Sequence, residues 1–207
     1  MRDVPELLER LLMTVQFDSE SDYRDMKFEN KTFNLLKSTR ITFSMCDFKE
    51  IIFQQSEISE TTLKKVKMIN SKFSNTVFRN LQILDSFLEN TQVYNSDFRD
   101  SNFVEVLTSS IKFVSSDLKG AQFIDCDLRE SEFDSVIGDR VVFRRCRLDG
   151  AIFRGGKYFS ALFEDCILTD ASFHDSDLFL AKIQLCRVDN LHFDGESANK
   201  VKMSNCY

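Results

Sequence analysis

A large apolar side chain returns every fifth residue through most of this 207-residue chain. The stretch Ser116 to Phe133 shows it plainly. Leu118, Phe123, Leu128 and Phe133 are large, and Ser116, Ala121, Cys126 and Ser131, two places before each, are small. A helix repeats its buried face every 3.6 residues and a strand every two, so neither produces a period of five. A strict short repeat is the mark of a solenoid, whose units bury their apolar sides by stacking. From Tyr23 to Met203 the register runs over 37 positions without insertion, and 33 of them are large and apolar. The exceptions are Ser38, Thr108, Gly138 and Ala198, and 17 of the 21 phenylalanines keep the register, so chance does not account for it.

The positions around this centre complete a pattern. Ser96-Asp97-Phe98, Ser101-Asn102-Phe103, Ser116-Asp117-Leu118, Cys126-Asp127-Leu128 and Ser176-Asp177-Leu178 share a small residue, then Asp or Asn, then Leu or Phe. In this the chain resembles the pentapeptide repeat family over about residues 21–207. The resemblance implies an all-β fold: a right-handed quadrilateral parallel β-helix of four pentapeptides per coil and about nine coils. Central and minus-two side chains then point inward.

The cysteines support a coil of twenty residues independently. Cys46, Cys126, Cys146, Cys166, Cys186 and Cys206 all hold the minus-two position and are separated by multiples of twenty. They would stack in one interior column with Met26, Val66, Ser86 and Val106. A second column, from Phe33 through Phe53, Phe73, Val93, Phe113, Phe133, Phe153 and Phe173 to Phe193, would form an aromatic ladder. At a strand spacing of about 4.8 Å, nine coils give a rod roughly 45 Å long.

Residues 3–16 read differently. Leu7, Leu8, Leu11, Leu12 and Val15 line one face of a helix, with Asp3 as N-cap and Pro5 in the tolerant first turn. So short a helix needs a docking surface, and the open first coil offers one. The expected organisation is a short N-terminal α-helical cap over residues 1–20 and a β-helix over 21–207. A dimerising helix is the alternative.

Composition narrows the function. A net charge of −6 and one proline with six glycines argue against a general nucleic-acid binder and against flexible linkers. The first residues interleave charges with leucines, as neither a signal peptide nor a membrane span does, so a cytoplasmic location is expected. Parallel cysteines in one column do not converge on a metal, and buried thiols are inert packing. His174 and His192 lack a third fixed ligand. With no phosphate loop, no nucleophile–base pair and no concave pocket implied, the chain reads as a non-enzymatic protein-interaction module with no cofactor.

The outward positions therefore carry the functional expectations. Leu84, Val104 and Ile124 share an exposed column beside Phe87 and Leu107; Val142, Leu162, Phe159, Phe179 and Leu180 form a second cluster, expected at another corner. Asp85, Glu105, Asp125 and Asp165 share an acidic column interrupted by Arg145, with Asp170 on the adjoining face. Pentapeptide repeat proteins that protect type II topoisomerases from quinolones look similar. The resemblance thus implies a DNA-mimicking binder of DNA gyrase or topoisomerase IV that gives resistance to a topoisomerase poison. The alternative is a scaffolding or effector protein that holds a protein partner through the apolar columns. Neither reading involves direct nucleic-acid or membrane binding. The last coil, with Val201, Met203, Cys206 and Tyr207, carries no capping helix, which suggests a homodimer formed end to end.

Overall fold

The structure, a computed structural model, describes residues 17–194 and 200–207. These residues form a parallel β-solenoid of about nine coils, in which each strand pairs with the strand twenty residues on. The helical cap expected within residues 1–20 falls largely outside the described residues, as does Ala198.

Each pentapeptide makes one side of the coil. A three-residue strand such as Glu132–Asp134 buries its middle side chain, Phe133, and turns its neighbours outward, as strand alternation requires. The chain then turns through a residue with positive φ: Asn70 at 50°, Asp125 at 55°, Gly150 at 65°. Such a backbone is least costly for Gly, Asn and Asp, which hold many of the corners.

Two opposite sides of the rod are strand throughout. The first is a ten-stranded parallel sheet running from Asp22–Arg24 to Lys202–Ser204. The other is nine-stranded, from Thr32–Asn34 to His192–Phe193. The remaining two sides begin as a five-stranded and a two-stranded sheet, then continue as single bridges such as Asp117↔Ile137 and Asp127↔Arg147.

Inside, the expected ladders are present. Phe133 stacks on Phe113 at 5.6 Å and on Phe153 at 4.8 Å, while Phe143 meets it edge-on at 5.6 Å. On the ten-stranded side Phe103, Phe123, Phe143 and Phe163 stack at 4.4 to 5.0 Å. Cys126, Cys146, Cys166 and Cys186 are buried, free and in column. The neighbouring Cys126 and Cys166 thiols, together with burial, hold the Cys146 thiol above its ordinary pKa, so it stays protonated and unreactive. Met26, expected inside this column, is instead exposed, because no described coil lies beneath the first one.

Three of the four exceptions to the apolar register have a structural cause. Ser38 donates to the Phe17 carbonyl at 2.5 Å, and the buried Phe17 ring lies against Tyr23, Phe28, Phe33 and Phe43, closing the first coil. Thr108 donates to the carbonyl of Asp127 at 3.1 Å. Gly138 keeps count without bulging. A Cβ there would come within 2.7 Å of the Tyr158 ring, and one at Gly156 within 2.6 Å of the same ring. The two glycines make room for a fully buried tyrosine, whose hydroxyl reaches the Phe133 carbonyl at 3.4 Å and whose pKa burial raises.

Candidate interaction surface

The acidic column exists in register but is not a bare row of charge. Asp125 is gripped by Arg145 through two hydrogen bonds of 2.6 Å, which hold its carboxyl below the usual range. Asp85 faces Lys65 at 3.7 Å, and Asp170 accepts from the Asn190 amide at 3.1 Å. Glu105 and Asp165 have no cation within ion-pair distance among the described residues. Arginine–carboxylate pairs recur over the surface at the coil spacing: Arg144–Glu164, Arg154–Asp134 and the Glu20–Arg40–Glu60 ladder. Exposed pairs of this kind add little stability each, but they neutralise the rod locally.

The apolar outward residues are more continuous than the sequence suggested. Leu84, Val104 and Ile124 are cross-strand neighbours on the ten-stranded sheet. Val142 and Leu162, expected at another corner, lie on that same sheet, one strand further along. Ile124 and Val142 are diagonal across adjacent strands, so the two groups join into one half-buried stripe spanning five coils. At the corner preceding this sheet, Phe159 and Phe179 stack at 6.0 Å with both rings exposed, and Leu180 beside them is 54% exposed. Leu107, exposed, and Phe87, half-buried, pair on the neighbouring side across the acidic corner. Residue number modulo twenty carried the signal for the joined stripe, since it fixes the side of the rod.

Beside the stripe is a groove of about 570 Å³, lined by Val142, Leu162 and Leu180 and by Arg140, Lys182 and Gln184. His174 and His192 stand on adjacent strands in different columns, His174 opposite Arg154 and His192 opposite Ser172. Among the described residues no three His, Cys, Asp or Glu side chains are grouped to hold a metal, and no helix is long and apolar enough to cross a membrane. On the last coil, Val201 and Cys206 are half-buried while Met203 and Tyr207 are exposed.

The family model described as a pentapeptide repeat region matches residues 116–193. Among solved structures, a trypsin-treated variant of QnrB1, a plasmid-mediated fluoroquinolone resistance protein, aligns with a TM-score of 0.59 at 13% identity. The alignment covers 88% of this chain and 93% of that one. HetL, a pentapeptide repeat protein involved in heterocyst differentiation regulation in the cyanobacterium Nostoc, covers 92% of this chain and 97% of its own at 11% identity. Its TM-score is 0.37. A search of curated proteins returns no match. With a solenoid of five-residue units along its described length, this chain carries a pentapeptide repeat region over residues 116–193 and is similar in fold to QnrB1.

Proposed function

We propose that the chain is a non-enzymatic scaffold in the cytoplasm that binds a protein partner along its ten-stranded side. The observation behind this is the outward stripe of Leu84, Val104, Ile124, Val142 and Leu162, set on a face whose polar neighbours would satisfy an interface rim. Buried free thiols suit a reducing compartment. A photo-crosslinking residue at Val104, introduced in the producing cell, should give discrete protein adducts, whereas one at Gln54 on the opposite side should not. Equal adduct patterns from both positions would sink the reading.

A narrower reading is that the partner is DNA gyrase or topoisomerase IV, with the rod lying where duplex DNA would lie, giving resistance to a topoisomerase poison. It is supported by the acidic corner of Asp85, Glu105, Asp125 and Asp165 and by the fold shared with QnrB1, a fluoroquinolone resistance protein. In a supercoiling assay, micromolar protein should inhibit gyrase or protect it from ciprofloxacin. Arg145→Glu, which frees Asp125 and completes the acidic column, should strengthen the effect. If neither protein changes supercoiling, the mimic reading fails and the scaffold reading stands. Self-association through Val201, Met203, Cys206 and Tyr207 is a companion proposal, supported by the exposure of Met203 and Tyr207. Light scattering that reports a monomer at micromolar concentration removes it.

A further inference from the structure

The groove beside the stripe has an unusual electrostatic setting. Arg140 is the one arginine among the described residues with no carboxylate partner; the other ten are each paired. Its own neighbour Asp139 turns away to Lys119, at 3.8 Å. Glu164, the nearest acid on the sheet, is held by Arg144 at 2.6 Å and by the Gln184 amide at 2.8 Å. Lys182 also has no ion pair among the described residues, and the residue across from it on the next strand is another cation, Lys202. In a chain of net charge −6, the lining of this one apolar groove is left positive.

The apolar lining includes an exposed corner leucine, as Leu35 and Leu185 are at other corners. Leu180 adopts φ +59° at a corner position, where Gly, Asn or Asp would cost least, and its side chain is exposed. The groove combines a positive rim with an unfilled apolar surface.

Resting on the scaffold reading, we infer that this groove takes an acidic segment of a partner protein whose Leu or Phe side chains enter between Val142, Leu162 and Leu180. Carboxylates of that segment meet Arg140 and Lys182. The arginine fork suits a carboxylate in two-point contact, and charge complementarity across the rim sets the partner's sign. A bilayer surface is a poorer fit: the site is a recess, and Phe159 and Phe179 lie flat on one another, 27° apart, rather than standing out as anchors.

The test uses a fluorescein-labelled peptide of alternating Glu with Leu and Phe, its counterpart with Lys for Glu, and phosphatidylglycerol vesicles. The acidic peptide should raise anisotropy, more weakly at high salt. Arg140→Glu with Lys182→Glu should lower its affinity at least tenfold without shifting the melting temperature. Both sites are exposed, Glu60 already holds the corner column of Arg140, and Glu132 holds the pentapeptide position of Lys182 on the opposite side, so the variant should fold. Equal binding of the lysine peptide overturns the proposal, as does unaltered binding by the double variant. Binding to vesicles with no binding to the acidic peptide makes the groove a membrane contact and overturns it too. If the acidic peptide fails while crosslinks from Val104 persist, the groove assignment is wrong and the scaffold reading survives.

Discussion

The two halves of the rod satisfy the same backbone in different ways. In the earlier coils the N–H of the minus-two residue has no partner in its own turn, and a hydroxyl from the next coil accepts it. Leu36 donates to Ser56, Val66 to Ser86, Thr76 to Ser96 and Leu81 to Ser101, each at 3.1 Å. From Phe98 onward alternate corners close on themselves instead, while at two of the corners between them Gly156 and Cys166 still donate to Ser176 and Cys186 of the next coil. Ala121 donates to Leu118, Ala151 to Leu148, Ala161 to Tyr158 and Ala181 to Leu178, at 2.9 to 3.1 Å. With positive φ at the residue before each of these alanines or glycines' neighbours, as at Gly120 and Gly150, these are tight turns that leave the minus-two N–H satisfied. Alanine is then sufficient where serine was needed before. A buried backbone N–H must find a partner, and which partner it finds decides what the next coil must carry. The family model matches residues 116–193, where the second solution recurs at every other corner.

The packing differs in the same direction. The later coils carry unbroken phenylalanine columns, while the earlier half encloses an apolar void of about 10 Å³ lined by Phe43, Leu63 and Met68 among others. A void so small and apolar stays dry.

The comparison can be broken most sharply at its core. Phe133→Asp sets an unpaired charge among stacked rings and should abolish the folded state, whereas Phe17→Asp should unravel only the first coil. Circular dichroism and hydrogen exchange separate the two; unchanged melting of Phe133→Asp would mean the register is not inward. Next, Gly138→Val should destabilise by about 1–3 kcal/mol by crowding the Tyr158 ring. Pairing it with Tyr158→Leu, which copies Leu118 and Leu178 in the same column, should recover part of that loss in urea unfolding.

The two hydrogen-bonding schemes are tested at Ser101 and Ala161. Ser101→Ala strips a partner from the Leu81 N–H and from the Phe78 carbonyl, and should cost about 1–3 kcal/mol. Ala161→Ser, in a corner already closed, should change stability by less than about 1 kcal/mol. Equal effects would refute the division between the halves. The smallest effect is in acid. Burial opposes ionisation of Asp97, but hydrogen bonds from Arg99 and Arg79 outweigh it and hold the carboxyl at about 2. A depressed carboxylate stabilises above its unfolded pKa, near 4, and that contribution fades as pH falls toward 2. Asp97→Asn should flatten the loss of stability across this window.

Much of the fold was legible because inward positions are written one residue at a time. The five-residue period named the buried set, and the spacing of the cysteines gave the coil. The surface was less legible. The sequence put Val142 and Leu162 at a separate corner, though their position in the twenty-residue coil placed them on the sheet of Leu84. Phe17 was hidden because it lies outside the register, and its role as a plug depends on Ser38 leaving a gap above it.

What the sequence by itself determined is the lattice: which side chains face in, which side of the rod each residue occupies, and which residues stack at intervals of twenty. That information is local and repeats, so it survives reading in one dimension. The tertiary structure decided the choices the lattice leaves open. An outward cation has acids above, below and beside it, and only side-chain geometry sends Arg145 to Asp125, Lys119 to Asp139 and Arg79 to Asp97. Those choices leave Arg140 unpaired beside an apolar groove, because each neighbouring carboxylate is already engaged.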